Sequence, residues 1–188
     1  MSDPAKRRAT YQDVIDAPEH MVAEIIHGEL VLSPRPASLH THAASMLGGE
    51  LHGFSRGRGG PGGWVLLIEP ELHLLGHVLV PDLGGWRRER LTPFPDGPYF
   101  ETEPDWVCEV LSPSTSKRDR IDKLAIYAEA GVSHAWLIDP PLRTLEVYRR
   151  EGKRWLLLGS YADDARVRAE PFEALELELD LLWPPGSP

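Results

Sequence analysis

Two carboxylates in apolar surroundings are the residues best placed to do chemistry. Asp82 follows Pro81 at the end of the apolar run Val78-Leu79-Val80, and Glu109 lies inside Trp106-Val107-Cys108-Glu109-Val110-Leu111. An ionised carboxylate in an apolar strand is costly unless something pairs with it. Two pairings stay open. Oxygen donors from neighbouring strands suit Mg²⁺ or Mn²⁺ and leave positions for water and a phosphate. An arginine or backbone N–H groups would satisfy Glu109 equally well, with no chemistry attached. Further along, Asp119, Lys123 and Tyr127 follow an i, i+4, i+8 stripe and share one face of a helix. That stripe runs beside the apolar positions Ile121, Leu124 and Ala128, so the Lys123 ammonium can reach over the end of the Glu109 strand. The plainer alternative is an Asp119–Lys123 surface ion pair, which contributes little to stability.

Other chemistries are excluded by composition. The single cysteine, Cys108, sits in an apolar run and reads as a buried, inert thiol, with neither a disulfide scaffold nor a Cys-rich zinc site. His42, His52, His73 and His77 have no i, i+4 partner of the HExxH kind. No segment approaches the roughly 20 apolar residues of a membrane span, and Lys6-Arg7-Arg8 is not followed by an apolar signal core. A cytoplasmic protein without a membrane partner is expected. The chain of 188 residues carries 20 Lys+Arg against 29 Asp+Glu, a net charge of −9. That balance disfavours a protein that coats nucleic acid non-specifically, but not a nuclease whose acidic residues hold metal. Two basic groups could grip a phosphate backbone or simply be solvated. One is Arg87, Arg88 and Arg90; the other is Lys117, Arg118 and Arg120, which open the Lys123 helix where positive charge opposes the helix dipole.

The elements that must position these residues follow from periodicity and breakers. Residues 1–9 read as a disordered tail and 10–188 as one domain. Thr10 and Asp13 form a capping box for a helix ending before Pro18. Residues 21–32 read as a hairpin turning at His27-Gly28. Leu39, Ala43, Met46, Leu47, Leu51 and Phe54 line one face of a helix. A glycine-rich loop over 57–63 leads to strands over 64–68, 71–75 and 77–80, the last two turning at Gly76-His77. Residues 84–103 read as a long loop. A buried strand over 105–111 leads into a helix from Ser116 to Ala130 with Ile121, Leu124, Ala125 and Ala128 on its core face, stopped by Gly131. Strands come next over 134–138, 144–149 and 154–158, and weaker ones over 161–182. There Glu173, Glu176, Glu178 and Asp180 alternate with leucines, a half-exposed pattern compatible with a dimer contact. The sum is an α+β fold, a mixed sheet flanked by a few helices.

The segment from Pro104 to Thr115, followed by Asp119, Lys123, Tyr127, Gly131-Val132 and Trp136-Leu137-Ile138-Asp139, resembles the Uma2 family, also called DUF820. Further matches are Glu24-Ile25-Ile26-His27-Gly28-Glu29-Leu30, Ser33-Pro34, His40 and Pro81-Asp82, so the resemblance spans residues 10–182. It implies a restriction-endonuclease-like mixed β-sheet core and metal-dependent hydrolysis of DNA by an endonuclease of the PD-(D/E)XK type. Asp82 matches the first acidic residue and Glu109 the second, while Glu24 resembles an N-terminal acidic residue that can complete the metal site with them. The motif's lysine would fall at Leu111, so the resemblance shifts that role to Lys123, which would orient or deprotonate the attacking water or stabilise developing charge. His40 would carry a proton or touch the phosphate, or be a plain polar helix position. Arg87, Arg88, Lys117, Arg118 and Arg120 are the candidate DNA contacts. A homodimer is expected, since enzymes that cut both strands commonly pair two sites by symmetry. The rival expectations are a non-catalytic binding or assembly protein on the same fold, favoured by Leu111 and the net charge, and hydrolysis of a different phosphoester.

Overall fold

Among residues 7–56 and 60–184, which a computed structural model describes, the strands build two larger sheets and one short two-stranded pair. After a short helix α1 (Tyr11–Ile15), the hairpin β1 (Met21–Ile26) and β2 (Glu29–Pro34) turns through His27 and Gly28, both at positive φ. Helix α2 (Ser38–Ser55) and strand β3 (Trp64–Ile68) come next, then the hairpin β4 (Leu72–Leu74) and β5 (His77–Leu79). Beyond it lie β6 (Leu83–Arg87), β7 (Trp106–Val110), and a helical stretch from α3 (Ser116–Arg118) to α4 (Leu124–Ala130). The chain continues through β8 (His134–Asp139), β9 (Thr144–Glu151), β10 (Arg154–Ala162) and the short pair β11 (Arg166–Val167) and β12 (Leu177–Glu178). One sheet has the order β2-β1-β5-β4; the other, β10-β9-β8-β7-β6-β3. Every pairing in the larger sheet is antiparallel except β7 with β8, the pair that the α3–α4 crossover joins.

β7 divides the core in two. Trp106, Cys108 and Val110 face α2, where Trp106 meets Trp136 edge-on at 5.4 Å and Phe172 at 5.0 Å between ring centroids. Val107 and Leu111 pack on the other face with Trp86, Tyr127 and Leu137. Glu109 belongs by alternation to that second face. The α+β class and the mixed sheet are therefore as the sequence indicates.

Several boundaries differ, each for a physical reason. Residues 84–103 are not one loop: β6 is a central strand of the six-stranded sheet, and Arg88–Leu91 form a 3-10 turn. Gly84 and Gly85 suggested a loop, but their missing side chains make room for neighbours. A Cβ on Gly84 would lie 2.8 Å from Pro70, and one on Gly85 2.8 Å from Leu66 and 3.1 Å from the Trp106 ring. The helix over 116–130 contains a π-helical segment, Asp119–Lys123. Its wider turn shifts the phase of the residues C-terminal to it. Asp119, Lys123 and Tyr127 take the inward face, so Ile121, inside that segment, is 60% exposed and Ala125 is exposed, while Leu124, Ile126, Tyr127 and Ala128 are buried. The second hairpin turns at Leu75-Gly76, both at positive φ, one residue earlier than expected. Of the glycine-rich loop, residues 57–59 lie outside the described residues, as do 1–6 of the tail. Arg7 pairs with Asp13, and Ala9 donates to the Gly28 carbonyl at 2.8 Å. In the acidic C-terminal stretch only Leu177–Glu178 are strand; Leu177, Leu179 and Leu182 are buried against the α2 side of the sheet.

Candidate active site

Five elements bring their polar side chains to one cavity of about 290 Å³. Glu24 comes from the middle of β1, His40 from the first turn of α2, and Asp82 from the link where the chain leaves the smaller sheet for the larger. Glu109 comes from β7, and Asp119 and Lys123 from the π-helical segment. All six line the cavity. Sequence-predicted Glu24, His40, Asp82, Glu109 and Lys123 thus converge.

The contacts are specific. The Lys123 ammonium lies 2.8 Å from Glu109 Oε1, 3.0 Å from Glu24 Oε1 and 3.2 Å from the Val80 carbonyl, to which it donates. Tyr127 Oη donates to the same Glu109 oxygen at 2.6 Å. Glu24 Oε1 also accepts the Val80 N–H at 2.9 Å. Asp82 Oδ2 accepts the Val110 N–H at 2.7 Å, which ties the sheet-crossing link to β7, and Asp82 Oδ1 lies 3.0 Å from His40 Nε2. His40 Nδ1 is buried and has no hydrogen-bond partner among the described residues. Asp119 and Lys123 are not a surface pair: both are buried, and the ammonium is turned to Glu24 and Glu109. Leu111 is a core residue.

Burial sets the electrostatics. It pushes the Glu109 carboxyl well above its ordinary range, against the pull of Lys123, and it pushes Asp119 up in the same way. For Lys123, burial favours loss of the proton, but Glu109, Glu24 and Asp119 together hold the group above its ordinary value. Tyr127 is raised by burial and by the Glu109 charge. His40 is lowered by burial and raised by more through Asp82, for a net increase.

Three buried carboxylates, Glu24, Glu109 and Asp119, face one buried ammonium, with Asp82 beside them. Such a surplus of negative charge calls for a further cation or a proton. The donors are all oxygen, which suits a hard divalent ion. Asp82 has lone pairs to spare, since among the described residues Val110 N–H and His40 engage its two oxygens with one contact each. As the side chains stand, with Lys123 between Glu24 and Glu109, no group of three or more His, Cys, Asp or Glu among the described residues is posed around a metal position. The donor chemistry therefore fits such an ion, and the rotamers shown are those of a lysine-bridged site.

The candidate DNA contacts are dispersed. Arg87 lies over the Trp64 ring at 4.1 Å, and Arg88 donates to the carbonyls of Ser55 and Trp64, both at the far end of β6 from Asp82. Arg120 binds Glu146 at 2.6 Å. Arg118 reaches Ser33 Oγ at 3.2 Å on the cavity rim, and Lys117 is exposed. Arg35, which also lines the cavity, was not singled out by the sequence. Asp119 and Tyr127 were visible only as members of the Lys123 stripe. Their roles emerged from burial, which the stripe alone does not reveal.

A mixed sheet of this topology, with carboxylates and a lysine gathered where two sheets meet, is a nuclease-like fold. A crystal structure from Anabaena variabilis ATCC 29413, described as that of "a putative nuclease belonging to DUF820", matches with a TM-score of 0.75 at 24% identity, covering 93% of this chain and 97% of that one. Residues 9–181 match the model of the Uma2 family, described as "Putative restriction endonuclease", and the chain belongs to that family. No curated protein matches it. Among the described residues no helix is long and apolar enough to cross a membrane.

Proposed function

We propose that this protein is a metal-dependent endonuclease that hydrolyses DNA phosphodiester bonds, with Asp82, Glu109 and Glu24 as ligands of Mg²⁺ or Mn²⁺. The observation that carries the reading is the surplus of carboxylate in one cavity, where buried Glu24, Glu109 and Asp119, with Asp82 beside them, face the single ammonium of Lys123. Lys123 supplies from the helix the ammonium that Leu111 cannot. A bound ion would polarise the phosphate and lower the pKa of the attacking water. Lys123, held by Glu109, Glu24 and the Val80 carbonyl, would orient or deprotonate the attacking water or stabilise the charge developing on the phosphate. Tyr127 holds Glu109 Oε1 in place. His40, which lines the cavity, orients Asp82 through Nε2 and would carry a proton or touch the phosphate there. A cytoplasmic location and a homodimer belong to this reading.

The test is cleavage of DNA with Mg²⁺ or Mn²⁺, alongside metal titration by calorimetry and light scattering for the dimer. Asp82→Ala and Glu109→Ala should abolish cleavage while the fold survives. Absence of both cleavage and metal binding in the wild-type protein would sink the reading. The second reading, a non-catalytic binding or assembly protein, is favoured by one observation: Lys123 already bridges the two carboxylates that the metal would need. Metal binding that displaces nothing and supports no cleavage would decide for it.

A further inference from the structure

We propose that this site takes unpaired strand, single-stranded DNA or a nucleotide extruded from a duplex, in preference to paired B-form DNA. The inference rests on the nuclease reading and concerns which substrate reaches the same site. Depth is the first argument. Glu24, Glu109 and Lys123 are 4%, 3% and 3% exposed, so the groups that would meet the phosphate lie at the bottom of the cavity and not on a surface. A volume of about 290 Å³ is of nucleotide scale, at the lower end of the roughly 300–1,000 Å³ typical of small-ligand pockets.

The mouth is the second argument. Pro34 and Pro36 line it on the side leading from β2 into α2, and Pro113 lines it on the side leading from β7 into α3. Proline rings are stiff and apolar. They suit packing against a base or sugar freed from its stack, and they narrow the entrance for a paired helix. Ser112 and Ser114, whose hydroxyls hydrogen-bond to each other at 3.0 Å, supply the polar part of the rim.

Charge is the third. A duplex is held by rows of cations, each neutralising a phosphate. Here Arg87 lies on Trp64, Arg88 is turned to backbone carbonyls, Arg90 binds Asp105 and Glu103, and Arg120 binds Glu146. At the cavity, Arg35 donates to the Glu19 carbonyl at 3.0 Å, and Arg118, beside the lining residue Ser33, donates to its Oγ at 3.2 Å; together they match at most the phosphates flanking one nucleotide. The net charge of −9 offers no broad track for a double helix. For a backbone phosphate to reach groups this recessed, a duplex has to give up pairing and stacking, at a cost of about a few kcal/mol, which a single strand does not incur.

One labelled oligonucleotide, offered to the full chain with Mn²⁺ as single strand, as perfect duplex and as duplex with an unpaired bulge, tests this. Asp82→Ala serves as the blank for contaminating nuclease. The expected result is kcat/KM roughly tenfold or more higher for the single strand than for the duplex, with cuts in the third substrate confined to the bulge. Duplex cleaved as fast as single strand, or cuts outside the bulge, would overturn the inference and leave the nuclease reading standing. No cleavage of any substrate above the Asp82→Ala blank would overturn both.

Discussion

One face of β7 is apolar throughout, while the other interrupts its apolar packing with a buried charge cluster at Glu109. On one, Trp106 is fully buried among Trp136, Phe172 and the α2 leucines, and its energy is area removed from water. On the other, Glu109 is nearly as buried and is held by Lys123 and Tyr127. Both faces exclude solvent to nearly the same degree, so burial alone does not distinguish them. What differs is the work each burial does. The aromatic face gains free energy from packing. The charged face gives up hydration, recovers part of it through one lysine, and is left with carboxylates in surplus. A protein selected only for stability would fill the second face with leucine.

Variants on either side can break that comparison. Trp106→Ala should have the largest effect, a loss of about 3–5 kcal/mol read by chemical denaturation, because its neighbours cannot collapse into so large a void. Lys123→Met should cost about 3–5 kcal/mol near neutral pH, since it strands Glu109 and Glu24 without their cation. The two losses then part with pH. Burial raises Glu109 and Lys123 pulls it down, so removing the lysine lifts the folded pKa further above the unfolded value than in wild type. A group raised in this way favours the fold while it is protonated, below its unfolded pKa, and that support is lost as pH rises through the folded pKa. The Lys123→Met deficit should therefore shrink from pH 8 to pH 5, while the Trp106→Ala deficit, relative to wild type at each pH, stays nearly flat. Equal pH dependence in the two variants would refute the distinction. Replacing the whole cluster at once, Glu24→Leu, Glu109→Leu and Asp119→Asn with Lys123→Met, should be neutral or raise stability by about 1–4 kcal/mol and leave no cleavage. A strong loss of stability would mean that the charged face is structural.

The apolar face was the more legible in the sequence, and the reason is periodicity. Ala43, Leu47, Leu51 and Phe54 announce a helix face by spacing alone, and the β7 run announces a buried strand. Asp82, Glu109 and Lys123 stood out because their types clash with their surroundings, but what satisfies them is decided by contacts between β1, β7, the link after β5 and the π-helical segment, which no local pattern encodes. The π-turn itself has no sequence mark. The inward face belongs to Asp119, Lys123 and Tyr127 with Ile126 beside them, and Ile121 and Ala125 are turned out. Gly84 and Gly85 misled for the opposite reason: their absent side chains serve the Trp86 and Trp106 rings, a requirement set by the packing of the sheet and not by local sequence.

Tyr127→Phe probes the charged face more gently. It removes the 2.6 Å hydrogen bond to Glu109 while keeping the ring, which is fully buried. The expected loss, read by the same denaturation, is about 1.5–3 kcal/mol, the range for hydrogen bonds to charged groups.

The smallest effect should come from a charge pair outside both interiors. Arg120 and Glu146 meet at 2.6 Å with side chains 35% and 21% exposed. Burial pushes Glu146 up, yet Arg120 and Tyr148 outweigh it and hold the carboxyl below its ordinary range. Glu146 thus has a second donor in Tyr148, 2.6 Å away, and water can reach what Arg120 leaves behind. Arg120→Ala should accordingly cost only about 0.2–1 kcal/mol by denaturation. Lys123 and Arg120 are separated by less than one helical turn and each faces carboxylate, so their variants differ chiefly in solvent access. If Arg120→Ala cost as much as Lys123→Met, carboxylate pairing itself, and not the exclusion of water around Glu24 and Glu109, would set the energetics of this helix.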